Sequence, residues 1–467
     1  MLPLNDGLSF FVSTLLLRGK QFPAPMENPG TMCGLRHFSL RLTLFFVLVA
    51  TSSSVHAQSW LSDRKRAEGR GIRVGDLELH PGVGVEAGYL TNPFYSDRPK
   101  GTAAFRVAPH LFLSTLRGER LEGQNENKPG WVDFTGGLSG SFQHFFQHAV
   151  RDAINLELSG DLILGPERPV SLRLTENLRR SALPFSDTNL PPELRDTQRA
   201  ADYTNYYESA GAQVLFRSAG GLLRGGIGYR FSYAWFDDPG FKFNNNLTHN
   251  ALLNLGWEFL PKTALFYDAT LAHQSFVKLN DTGLRQIALT RLVDNNVLTS
   301  RIGINGAITS RIRATVAVGY TAGSYDVGDE PHGLIGTVEG RFTPSPISEV
   351  ALTFDRGFLP SYQGNYQDRT RIYARTRWLF VGALLIAARG GIEFLNFGYD
   401  PVQNAKRDDR RYFADLSGEY RFVDWLAVTA QAGLLVDDTT FVYRIENNSD
   451  PAKFTALELW LGVRAFL

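Results

Sequence analysis

The chain ends FTALELWLGVRAFL (Phe454–Leu467), and the alternation in these residues decides how the rest is read. Leu457, Leu459, Leu461, Val463, Ala465 and Leu467 fall on one face of an extended strand, and Glu458, Trp460, Gly462, Arg464 and Phe466 on the other, because strand side chains alternate with period two. One face is apolar and the other mixed. In a soluble sheet the apolar face meets a second layer. This chain offers no amphipathic helices to supply one, and the pattern recurs from residue 82 to the end, broken by a turn or polar loop about every twenty residues. A closed barrel with lipid outside and water inside satisfies both faces and leaves no backbone unpaired.

Reading outward from the last strand predicts an all-β fold: a single transmembrane antiparallel β-barrel of 16–18 strands, best read as 18. The strands fall near 76–90, 103–115, 131–146, 152–164, 169–179, 205–217, 221–235, 246–260, 262–273, 296–309, 311–324, 333–343, 347–358, 365–379, 382–399, 409–422, 424–438 and 452–467. Short links such as Ser218–Gly220, Pro261, Ser310 and Val423 alternate with long polar ones such as Ser181–Thr204, Ser275–Asn295 and Val442–Pro451. Short turns belong to the periplasmic rim and long loops to the outside. The charged stretch Arg117–Lys128 is the exception, a long link on the short-turn side.

The N-terminus reads as an export signal. Arg36 and Arg41 precede the apolar run Leu42–Ala50, and Val55-His56-Ala57 supplies small residues for cleavage after Ala57. Residues 1–57 are thus a leader whose working signal spans about 32–57, with Met32 a natural first residue; 58–75 form a short periplasmic lead-in and 76–467 the barrel. The apolar run falls short of the roughly 20 residues a spanning helix needs. Cys33, the only cysteine, lies in the leader, so the exported chain has no thiolate for a metal site or nucleophile. Removing the leader takes Arg18, Lys20, Arg36 and Arg41 from 48 basic residues and Asp6 and Glu27 from 47 acidic ones, a net charge near −1. That balance gives no reason to expect nucleic acid as a partner.

Period two also sorts the lumen. Arg369, Arg371, Tyr373, Arg375 and Arg377 share one face of one strand, a row of like charges that would repel if chosen for stability alone. Neighbouring strands put Arg311, Arg313, Arg341, Glu349, Asp355, Arg389, Glu393, Arg411, Asp415, Glu419, Arg421 and Arg464 inward, and strands one, three and four place Glu78, Glu86, Asp133, Glu157 and Asp161 there. Either these charges give opposite walls opposite sign and act on passing solutes, or they are ion pairs that merely satisfy a wet interior.

No catalytic motif stands out. There is no G-x-S-x-G elbow and no H-E-x-x-H pair, and His80, His110, His144, His148, His249, His273 and His332 read as rim or lumen positions. No enzyme activity, cofactor or metal is expected.

The opening strand and turn, from Gly82-Val83-Gly84-Val85-Glu86-Ala87-Gly88-Tyr89 through Leu90-Thr91-Asn92-Pro93-Phe94-Tyr95-Ser96-Asp97, resemble the start of the outer-membrane β-barrel porin 2 family. Leu90-Thr91 replaces the usual acidic pair and Pro93 a β-branched residue. The Gly165–Ser171 turn is similar to that of δ-proteobacterial members. The resemblance implies a barrel in the cell outer membrane, inserted by the barrel assembly machinery, and no catalytic residues. Its relatives suggest two roles: a porin-like channel for small polar solutes, or the barrel of an extracellular polysaccharide export system working with a periplasmic polysaccharide-export protein. A barrel enzyme is a third, weaker reading.

Overall fold

The computed structural model describes residues 71–115, 131–146, 152–182, 204–237, 242–277 and 293–467, less 94, 167, 243, 346, 362–364, 381–382, 400–404 and 446–447, with the side chains of 443–450 also left out. The leader, residues 58–70 of the lead-in, all of Arg117–Lys128, His148, and residues 183–203 and 278–292 of two long loops lie outside the described residues.

The short strand β1 (Ile72–Val74) leads into β2 (Leu77–Leu90), β3 (Thr102–Thr115), β4 (Val132–Phe145), β5 (Ala153–Leu164), β6 (Val170–Ser181), β7 (Asn205–Arg217), β8 (Leu223–Phe236), β9 (Asn246–Leu260), β10 (Thr263–Phe276) and β11 (Asn295–Ala307). Then come β12 (Ile312–Tyr325), β13 (His332–Ser345), β14 (Ser348–Pro360), β15 (Tyr366–Phe380), β16 (Leu384–Phe397), β17 (Asp408–Val423) and β18 (Leu426–Thr439), the small hairpin β19 (Val442–Ile445) and β20 (Asn448–Pro451), and β21 (Phe454–Phe466). Strands β2 to β18 each pair antiparallel with the next, β18 pairs with β21, and β21 returns to β2 from Gly82 opposite Phe466 to Leu90 opposite Glu458. Eighteen strands therefore close a barrel, as the alternation requires. Closure leaves no strand edge unpaired. Because the count is even, both ends of the barrel chain meet at the short-turn rim, where the Leu467 amide donates to the Pro81 carbonyl at 3.0 Å.

Polarity is the inverse of a soluble protein. On β21, Leu459, Leu461 and Val463 are 44, 63 and 50% exposed, while Trp460, Arg464 and Phe466 between them are 6, 1 and 2% exposed. The same holds around the wall, with Val83, Ile227, Val316, Leu352 and Ile372 bare on the outside and Glu86, Ser139, Gln143 and Thr429 buried on the inside. Gly88 stands in register with Trp460, whose ring lies over the space a side chain would fill. Pro109 faces outward in the middle of β3 and lacks an amide hydrogen; pairing of β3 with β4 lapses at Ala108 and Pro109 and resumes at His110 in unchanged register.

Two aromatic girdles bound the apolar band. Phe216, Trp257, Phe342, Phe380, Phe422 and Trp425 ring the short-turn end; Tyr89, Tyr206, Tyr320, Phe358, Phe394 and Tyr412 ring the long-loop end. On β7 the two girdle residues are ten positions apart, which at the usual rise and tilt is about 25 Å along the barrel axis, the height of the apolar belt of an outer-membrane barrel.

Candidate functional site

The arginine row lies on the inner face of β15, and the strands beside it were chosen to oppose it. Cross-strand register sets Asp355 on β14 opposite Arg371, Arg371 opposite Glu393 on β16, Glu393 opposite Arg411 on β17, and Arg411 opposite Asp437 on β18. Five strands thus carry one lateral row in which acid and base alternate, the sheet arrangement that stabilises neighbouring charges. Arg371 Nη2 lies 3.3 Å from Asp355 and its Nη1 3.6 Å from Glu393; Arg411 reaches Asp437 at 2.8 Å. Arg369 shares Asp355 at 3.6 Å. Nearer the short-turn end, Arg375 lies 3.3 Å from Glu339 and 3.9 Å from Glu349, and Arg377 stands in register with Glu349.

Pairing does not exhaust these groups. The Nε donors of Arg369, Arg371 and Arg375 are buried with no hydrogen-bond partner among the described residues, as is Oδ1 of Asp355. Aromatic rings lie between the charges: the Arg371 guanidinium sits 4.6 Å over the Tyr373 ring, and Arg389 5.4 Å over Phe413. The wall therefore sets planar cations and ring faces side by side, a surface suited to carboxylates and hydroxylated rings.

The remaining candidates fall into separate groups. Arg389 pairs with Asp415, Nη2 to Oδ2 at 2.7 Å, so Asp415 is not available to the arginine row. Glu419 lies 3.0 Å from Arg421 and 3.4 Å from the fully buried Arg464, which also lies 3.2 Å from His110, a cluster at the barrel seam. Arg313 stands opposite Arg341 at the exposed short-turn end of β12. Arg311 lies just before the strand, at the lower edge of the wall, where its carbonyl accepts from the Thr343 amide at 2.8 Å. Strand β12 begins at Ile312, and Thr309 Oγ1 accepts hydrogen bonds from the amides of Arg311 and Ile312, which holds Ile308–Arg311 as an exposed turn.

Two further points differ from the sequence reading. The acids of β2 and β5 do not make a negative wall, because Arg106 Nε donates to Glu86 at 2.6 Å and Arg173 Nε to Asp161 at 2.9 Å, each from the adjoining strand. His249 and His273 occupy neither rim nor lumen; they face outward, opposite one another on β9 and β10, with ring centroids 6.3 Å apart. Glu339, which holds both Arg341 at 2.8 Å and Arg375, is absent from the candidates read from the sequence, although it stands two residues before Arg341 on the same face.

Outside the band, loops over this wall are tied together. Lys406 Nζ lies 3.2 Å from Asp329, and Asn365 Nδ2 donates to the Val327 carbonyl at 2.9 Å. The hydrogen bond to Asp329, with its charge, raises the Lys406 ammonium above the usual lysine range. Among the described residues no group of three or more His, Asp or Glu could hold a metal ion.

No protein-family model and no curated protein matches the chain. Solved structures similar to it include the outer membrane protein opdK from Pseudomonas aeruginosa, 13% identical, covering 84% of this chain and 99% of that one with a TM-score of 0.44. The FrpB iron transporter from Neisseria meningitidis is 9% identical, with 89 and 84% coverage and a TM-score of 0.44. The siderophore receptor PirA from Pseudomonas aeruginosa is 9% identical, with 83 and 80% coverage and a TM-score of 0.40. None of these likenesses assigns a substrate or a residue role to this chain.

Proposed function

We propose that the protein is an outer-membrane channel of the porin type that passes small polar solutes and favours anionic ones along the β15 wall. Membrane placement is supported by the apolar band between two aromatic girdles on the outside of a closed barrel. An eighteen-strand barrel is wide enough for an aqueous lumen. Anion preference rests on one observation: four arginines, Arg369, Arg371, Arg375 and Arg377, lie on the single inner face of β15. Clustered cations beside a low-dielectric wall focus their field into the passage.

Swelling of proteoliposomes tests this reading. Gluconate should enter faster than a cationic solute of the same size, and neutral pentoses should enter at an intermediate rate. A barrel that admits none of them would contradict the channel and turn attention to export with a periplasmic partner.

A further inference from the structure

On the outer wall, His273 of β10 stands in register with Asn296 of β11, and its Nδ1 lies 2.9 Å from Asn296 Oδ1. A carbonyl oxygen only accepts, so Nδ1 carries the imidazole proton and Nε2 keeps a lone pair. Ser275 lies two residues further along β10 on the same face, opposite Leu247. About 7 Å of strand separates it from His273, a gap that an imidazole, a hydroxyl and one hydrogen bond together span. Neither His273 Nε2 nor Ser275 Oγ has a hydrogen-bond partner among the described residues. The backbone between and beyond them is held: Gln274 is buried inward against Asn246 and Asn295, and the Phe276 amide donates to Asp294 Oδ1 at 2.8 Å.

His249 of β9 lies opposite His273, with ring centroids 6.3 Å apart, and its Nδ1 meets the Tyr229 hydroxyl. With that hydroxyl donating, His249 carries its proton on Nε2. One ring therefore presents a lone pair and the other an N–H, side by side on the outside of the barrel. Just below them, toward the middle of the membrane, Leu271 and Leu298 stand opposite one another and are 51 and 47% exposed, a bed for acyl chains. His273 is three residues from Phe276 at the outer end of β10. The polar group thus borders the apolar band, where acyl chains join their headgroups.

We propose that Ser275, His273 and Asn296 form an esterase site on the lipid-facing wall that cleaves long-chain acyl esters of membrane lipids. Ser275 Oγ attacks the ester carbonyl carbon while His273 Nε2 takes its proton, and Asn296 positions the ring and fixes its tautomer. The oxyanion accepts from His249 Nε2–H. Collapse breaks the acyl–oxygen bond, and His273 returns the proton to the leaving alkoxide. Water then attacks the acyl-serine with His273 again as base, which releases the fatty acid and restores Ser275. This rests on the membrane placement and is independent of what passes through the lumen.

The test uses the full-length protein folded into lipid vesicles, where heat-modifiable mobility checks membrane placement first. Fatty-acid release is measured from a dioleoyl glycerophospholipid and, separately, from lipopolysaccharide; release from either supports the site and tells which headgroup it takes. Ser275→Ala and His273→Ala should each lower release at least ~1000-fold and abolish labelling of the protein by a fluorophosphonate. His249→Phe should lower kcat about a hundredfold. Asn296→Ala should lower kcat about tenfold or more, and Asn296→Asp, which keeps an acceptor for Nδ1–H, should restore it. Ser300→Ala, lower on the same outer face, should change neither release nor labelling. A folded wild type that releases no fatty acid from either lipid, release that survives Ser275→Ala or His273→Ala, or an Asn296→Ala or His249→Phe variant with wild-type kcat would overturn the proposal.

Discussion

Arg371 stands in register with Asp355, Nη2 to Oδ2 at 3.3 Å, and the same carboxylate also holds Arg369 at 3.6 Å. One acid thus restrains two of the four arginines that line the wall. Asp355→Asn keeps the shape and removes the charge, so both guanidiniums gain net field. Anion preference in planar bilayers should rise, while barrel stability falls by about 1 kcal/mol or less, since the pair is partly hydrated. Selectivity that stays the same or moves toward cations would show that the two arginines do not face the conducting path.

Charge on the outer wall should be costly and charge on the inner wall cheap. Arg at Leu459, in the middle of β21, should destabilise the barrel by ~2–4 kcal/mol, and Arg at Ile386, two residues from the short-turn end of β16, by less. Asn305 faces inward on β11 and is exposed there, so Asn305→Arg should cost far less. Urea titrations in lipid vesicles read these differences; equal losses at the three sites would mean the facing is displaced by one residue. Thr429 is unsuited as the inner control, because it is 2% exposed and donates to Glu86 at 3.4 Å, so an arginine there would be overpacked.

The seam depends on Arg464. Its guanidinium is buried against Glu419 and His110, and Arg464→Ala would take that partner from Glu419, which keeps Arg421. Breaking a buried pair from one side costs about 3–5 kcal/mol. The remaining Arg421 contact should keep the loss near the lower figure, visible as a lower temperature for the shift from folded to unfolded mobility on gels. A wild-type transition would contradict a structural role for the cluster.

Deleting Phe454–Leu467 removes every partner of β18 and of Gly82–Leu90 on the closing side. Two open edges in an apolar phase cannot be satisfied. No heat-modifiable barrel should be recovered, and a folded truncation would refute the closure described here.

Much of this was legible in the sequence because each strand shows period two over ten or more residues. All eighteen strands fall where the alternation of Leu457–Leu467 and its counterparts put them, and the inner face of β15 follows from it. What the alternation cannot supply is register. The Asp355–Arg371–Glu393–Arg411–Asp437 row, the neutralisation of Glu86 by Arg106 and of Asp161 by Arg173, and the sharing of Glu339 all depend on which residues lie opposite one another. Register depends on turn geometry. The rim or lumen reading of His249 and His273 goes against their own period, since both share parity with the outward Leu247 and Leu271.

The most direct measurement of the account is the reversal potential of single channels in a salt gradient, for the wild type and for the variant with Arg369, Arg371, Arg375 and Arg377 all replaced by Gln. The wild type should favour anions, and the variant should shift toward cations with its heat-modifiable fold intact. A fully folded quadruple variant with the wild-type reversal potential would show that the arginine row holds the wall together and has no part in selecting what crosses it.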